Sequence, residues 1–168
     1  RLWEPVPPAV PAVSAGVMDL RPGSPGLWVT GPPVYGPALS DALLRVSPSR
    51  EVDARLLVSE WQWTDPSMAP YLHALLATSR ACTNRRGSLK VRSFTVPGWN
   101  DTVGAGRRRP GHTRVNHNKY IVSEDVANFA TSNMAWSYFA TTLGASVNIQ
   151  QPQLAAGLQN VFDRDWES

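Results

Sequence analysis

The chain has 168 residues, 42% of them hydrophobic, with a net charge of +3 and a pI near 9.4. That length and composition suit one globular domain with a sizeable core, and the mild basicity weakly favours an anionic partner such as nucleic acid. No apolar run approaches the ~20 residues of a membrane-spanning helix, and the single cysteine, Cys82, excludes an internal disulfide framework.

In chain order, residues 1–12 read as an extended, proline-stiffened lead-in, and residues 13–168 as the folded unit. Residues 12–20 predict a buried strand, 21–37 a Gly/Pro loop, 38–46 a helix and 52–59 a second strand. Asp65 and Pro66 read as an N-cap and first helical position, opening a helix to about Ser79. Residues 89–96 alternate as a strand, and residues 97–113 form a Gly/Arg loop. The runs VNHNKYIVSE and ANFATSN then predict a strand pair, followed by a short helix near 133–139. Residues 143–150 predict a strand, and Pro152 opens a final helix. Strands alternating with helices predict an α/β fold, a mixed β-sheet sandwiched by helices.

His117 and Lys119 stand two residues apart, which on a regular strand puts both on one face. With Thr131 and Asn133 on the neighbouring run, the hairpin would gather an imidazole, an ammonium, a hydroxyl and a carboxamide. That set offers a nucleophile and several donors for a phosphoryl oxygen. Glu124, five residues past Lys119, points to the other face of a regular strand, and Asp125 takes its place if the strand bulges. Carboxylate pairs and Cys/His spacings for a metal are absent, so the expected site is metal-free, with no cofactor.

Other residues carry weaker signals. Trp61, Trp63 and Trp99 fall at strand-to-loop transitions, where they could stack on bases or simply pack. His112, Arg109 and their basic neighbours precede the motif, placed to contact phosphates or to sit on a solvated loop. His73 falls within a helical run and reads as a helix-face residue. Asn100-Asp101-Thr102 is a glycosylation sequon. The first residue is Arg1 rather than Met, so the sequence reads as a fragment or a processed product.

The pattern HxKxxxx(D/E) followed by a GSxN-like stretch, here His117, Lys119, Glu124, Thr131 and Asn133, resembles the phospholipase D superfamily motif. The likeness extends to LLVSEWQWTDPSM, RVNHNKYIVSE, TSN, SYF and FDRDWES. These are similar to the animal phospholipase D-like lysosomal 5′ exonucleases. It covers roughly residues 13–168 and is dense from 112 to 139. Ala130 stands where the pattern has glycine, and Met134 where an aromatic usually follows the Asn. Glycine at the first position would permit positive φ or close backbone approach, which alanine resists.

The resemblance implies one half of a phospholipase D-like fold, each half giving one HxK to a shared site. His117 would be a nucleophile forming a phosphohistidine, and Lys119, Asn133 and Thr131 would hold the phosphoryl group. Glu124 would be a supporting residue, and Asp165 either supports the site through a hydrogen bond or forms a helix-end salt bridge. The second HxK would come from an upstream segment or a homodimer partner. The implied substrate is single-stranded DNA or RNA cut from the 5′ end in a lysosomal or other endomembrane lumen. An inactive binding module, or a hydrolase or transferase of phospholipids, are the rival implications.

Overall fold

The computed structural model describes residues 12–17, 38–49, 52–61, 64–83, 86–97, 102–103, 107–108, 115–140 and 142–168. Strands β1 (Ala12–Val17), β2 (Asp53–Ser59) and β3 (Ser88–Phe94) run parallel; β6 (Tyr120–Ser123), β7 (Val126–Ala130) and β8 (Ser146–Gln150) form an antiparallel continuation. The six-stranded order is β3-β2-β1-β6-β7-β8, with β1 and β6 antiparallel at the seam. Helices α1 (Ala38–Ser49) and α2 (Met68–Ala81) connect the parallel strands, α3 (Trp136–Ala140) precedes β8, and α4 (Pro152–Glu167) follows it.

The run Leu56-Leu57-Val58 explains why helices cover both faces of β2. All three side chains are buried, as expected for a parallel strand packed on two sides rather than one. Ala54, Leu56 and Val58 meet Met68, Leu72 and Leu75 of α2, with Leu39, Leu43 and Leu44 of α1 around them. Leu57 points to the other face and joins Tyr120, Phe162 and Trp166 beneath α4. Phe162 is fully buried, stacked on Trp166 at 5.5 Å and edge-on to Tyr120 at 6.5 Å. Arg55 and Arg92 lie over the Trp166 ring, and Arg55 also pairs with Asp163 at 2.8 Å. The mixed sheet between helix layers is the architecture expected from the alternating elements.

Several boundaries differ for local reasons. Asp65 does not cap a helix starting at Pro66. Its Oδ1 accepts from the Ser67 backbone N–H (2.8 Å) and hydroxyl (2.6 Å), an Asx-type turn that delays the start of α2 to Met68. Within the expected loop 97–113, Thr102–Val103 (β4) and Arg107–Arg108 (β5) pair as a small antiparallel hairpin. The lead-in before Ala12, residues 18–37, Trp63, Trp99, Asn100, Arg109 and His112 lie outside the described residues.

Candidate active site

The motif residues collect at one edge of the sheet, where β1, β2 and β3 end. In open α/β sheets this carboxyl edge is where ligand crevices form. Ser59, the last residue of β2, donates its hydroxyl to the Asn116 carbonyl at 2.5 Å. From there the chain reaches the start of β6, where Tyr120 pairs with Gly16 near the end of β1. His117 and Lys119 therefore lie in an extended segment just before a strand, not within it. The expectation that they sit on a strand is corrected, although both line one cleft; His117 is exposed, while Lys119 is 7% exposed.

Burial of Lys119 is compensated locally. Its ammonium donates to the His117 carbonyl at 3.0 Å, and its own carbonyl accepts the Ala130 N–H at 2.9 Å. The second bond locks the HxK segment to the end of β7. Partial burial, and then the Lys119 charge, hold the His117 imidazole below its usual 6.5. Burial holds Lys119 below 10.5. Tyr120 is pushed up to about 12, by burial first and then by the charge of Asp165. His117, Lys119, Tyr120, Phe129, Ala130 and Leu158 line a cleft of about 280 Å³.

The following turn carries the small polar residues. Thr131 is engaged by Ala145. Its hydroxyl accepts the Ala145 N–H at 2.9 Å and donates to the Ala145 carbonyl at 3.3 Å, while its N–H meets the same carbonyl at 3.0 Å. Asn133 is 3% exposed, and its Oδ1 has no hydrogen-bond partner. An orphaned buried acceptor of that kind is costly. Ala130 fills the glycine position without strain, because Glu124 is the one non-glycine residue with positive φ among the described residues.

Glu124 stands apart from His117 and Lys119. It occupies the β6–β7 turn with φ of 47° and is exposed, at the end of β6 remote from His117. At ~3.4 Å per residue, the four-residue β6 separates the two by more than about 10 Å. Asp125, in the same turn, is engaged by Gln150 at 3.0 Å, so no bulge brings it to the site. Asp165 receives two hydrogen bonds from Arg164, at 3.0 and 2.8 Å, rather than reaching the motif. Among the described residues no cluster of three His, Cys, Asp or Glu side chains could hold a metal.

Two residues escaped the sequence reading. Ser59 anchors the segment before His117, and nothing in LLVSE distinguished it from a strand-end serine. Gly144 packs so closely that a Cβ there would lie 2.0 Å from Ser132 Oγ and 3.2 Å from Thr131 Oγ1. A glycine inside a strand-like run was the available signal. His73 is indeed on an exposed helix face, but it also lines a second cleft with Ser59, Glu60 and Trp61.

Sequence and fold together match the chain to the phospholipase D superfamily. It is 36% identical over 161 residues to the probable phospholipase D F09G2.8 of Caenorhabditis elegans, covering 94% of this chain and 27% of that protein. It is 37% identical over 147 residues to the 5′-3′ exonuclease PLD3 of Rattus norvegicus, covering 86% of this chain and 29% of that one. The chain thus spans less than a third of these relatives' length. In fold it resembles Nuc, a phospholipase D family member from Salmonella typhimurium, with a TM-score of 0.62 over 95% of this chain and 80% of that one, at 12% identity. No family model matches the sequence. No described helix is long and apolar enough to cross a membrane.

Proposed function

We propose that this chain supplies one HxK element of a metal-independent phosphodiesterase that acts through a phosphohistidine. The supporting observation is the pairing of a solvent-accessible imidazole, its pKa lowered by partial desolvation and then by the Lys119 charge, with an ammonium buried against the same segment. The neutral His117 ring attacks phosphorus, a P–N bond forms, and the P–O bond to the leaving group breaks. Lys119 and the Asn133 amide neutralise the phosphoryl oxygens. The leaving oxygen takes its proton from an acid supplied by a second HxK half, in an upstream segment or a second copy. Water then cleaves the P–N bond, releasing the phosphomonoester and restoring the imidazole.

Single-stranded DNA or RNA, cut from the 5′ end, is the substrate we favour, because relatives that contain a segment similar to this chain are named 5′-3′ exonuclease PLD3. A lysosomal or other endomembrane lumen is the matching location, with Asn100 glycosylated there. The test is a fluorescent single-stranded oligonucleotide with a 5′ hydroxyl, incubated in EDTA at pH 5 and pH 7. Shortening from the 5′ end that disappears in His117→Ala is the expected result. Cleavage that survives the substitution sinks the reading.

One observation favours a lipid substrate as the second reading. Phe139 is 70% exposed, with Leu143 fully exposed and Val147 56% exposed, an apolar strip following the Asn133 turn. Release of headgroup from phosphatidyl vesicles, with no oligonucleotide cleavage, would select it. Vesicle and oligonucleotide binding without turnover would select a non-catalytic module.

A further inference from the structure

The second cleft lies at the same sheet edge as the HxK segment. It has a volume of about 450 Å³, within the range that holds small ligands. Its floor is apolar: Val58, Met68 and Leu72 are buried there, with Leu76 and Val91 beside them. Its rim is polar and carries Ser59, Glu60, Trp61, Thr64, Asp65 and His73. Ser59 joins the cleft to the motif, since its hydroxyl holds the Asn116 carbonyl one residue before His117.

The charge of the rim decides what it can take. Among the described residues no Lys or Arg lines the cleft, while the acidic side chains Glu60 and Asp65 do. A phosphate or carboxylate would enter against like charge, with no Lys or Arg among the described lining residues to compensate its desolvation. An uncharged, planar group with an apolar body and polar edges fits instead. The floor accepts its faces, and the hydroxyls and acidic groups at the rim accept from its amino or ring N–H groups.

We infer that this cleft is a nucleobase subsite, holding the base of a nucleotide whose phosphate sits at His117 and Lys119. The inference deepens the nuclease reading above and rests on it for the identity of the ligand. Division of labour follows directly: the cationic segment takes the charge, and the acidic-rimmed cleft takes the uncharged ring.

The test separates the two parts by using ligands without phosphate. Saturation-transfer NMR on the full chain would compare deoxyadenosine, deoxyguanosine, deoxycytidine and thymidine with deoxyribose alone. Ala69, an exposed residue of α2 lining the cleft, is replaced by Trp to fill it; Trp61→Ala is the second variant, with folding of both checked by circular dichroism. The expected result is nucleoside binding that persists in His117→Ala, is absent for deoxyribose, and weakens at least fivefold in both cleft variants. Absence of nucleoside binding, equal binding in both folded variants, or occupancy by a short-chain phosphatidylcholine in place of nucleosides would overturn it. Oligonucleotide cleavage without nucleoside binding removes this inference and leaves the nuclease reading intact. Nucleoside binding without cleavage upholds this inference.

Discussion

At the scale of single residues, the imidazole of His117 must be uncharged to attack phosphorus. Burial and the Lys119 charge both lower its pKa, burial being the larger cause. The sign follows from linkage. The folded state binds the proton less readily than the unfolded state, so this group costs no stability above pH 6.5. Stability is lost as pH falls from 6.5 through the folded value. An NMR titration of the His117 ring is expected to show a midpoint below 6.5. Lys119→Met should raise that midpoint without reaching 6.5, because burial remains; an unmoved midpoint would show that the ammonium does not act on the ring. Asn133 supplies a second prediction. Its Oδ1 is buried without a partner, a cost of about 1–3 kcal/mol. Asn133→Ala removes that cost while opening a small cavity, so the thermal midpoint should stay close to that of the native chain. Activity should nevertheless fall on the order of 10²–10³-fold, the usual effect of losing one donor to a developing oxyanion. A parallel loss of stability and activity would make Asn133 a structural residue.

At the scale of elements, the site depends on how turns leave strands, and this is where sequence periodicity stops being informative. Alternation in VNHNKYIVSE suggested a strand carrying both His117 and Lys119, and β6 begins only at Tyr120. What fixes the segment is long-range: the Ser59 bond to Asn116 and the Ala130 bond to Lys119. Neither partner is visible from spacing along the chain. The residue types and the motif spacing were legible, because the chemistry constrains them directly. The burial of Lys119 and the engagement of Thr131 were not, because they depend on which loops meet. The close approach of Gly144 to the 131–133 turn is one such meeting. Gly144→Ala would drive a Cβ into Ser132 Oγ, and a rotating serine should absorb part of the strain. We expect a loss of about 1 kcal/mol in denaturant melts. Ser132→Ala should return most of it, because the next Ser132 atom lies at 3.4 Å, an ordinary contact. Additive single effects in the double-mutant cycle would show that the two positions do not touch.

At the scale of the whole molecule, one sheet separates two apolar layers with different duties. The layer under α1 and α2, centred on Leu56 and Leu72, packs the parallel strands. The layer under α4 centres on Phe162 and contains Tyr120, the immediate neighbour of Lys119. The alternation of strands and helices made this sandwich legible in the sequence, whereas the inward turn of Arg55 and Arg92 over Trp166 was not, since charged residues ordinarily read as surface. Substitutions in the two layers should therefore separate stability from function. Phe162→Ala should cost about 3–5 kcal/mol and Leu56→Ala about 2–5 kcal/mol. Both should shift the urea midpoint with little change in slope, since one cooperative unit unfolds. Their activities should differ at a temperature where circular dichroism shows both folded. Loss of the Phe162 ring frees Tyr120 and lets the HxK segment shift, and a displacement of about 1 Å can cost on the order of 10²-fold in rate. Leu56 lies in the other layer, which packs on Ile121 and Met134 rather than on Tyr120, so its loss should lower the rate of oligonucleotide cleavage less than loss of Phe162 does. Equal rates in the two variants would mean that α4 covers the sheet without positioning the site.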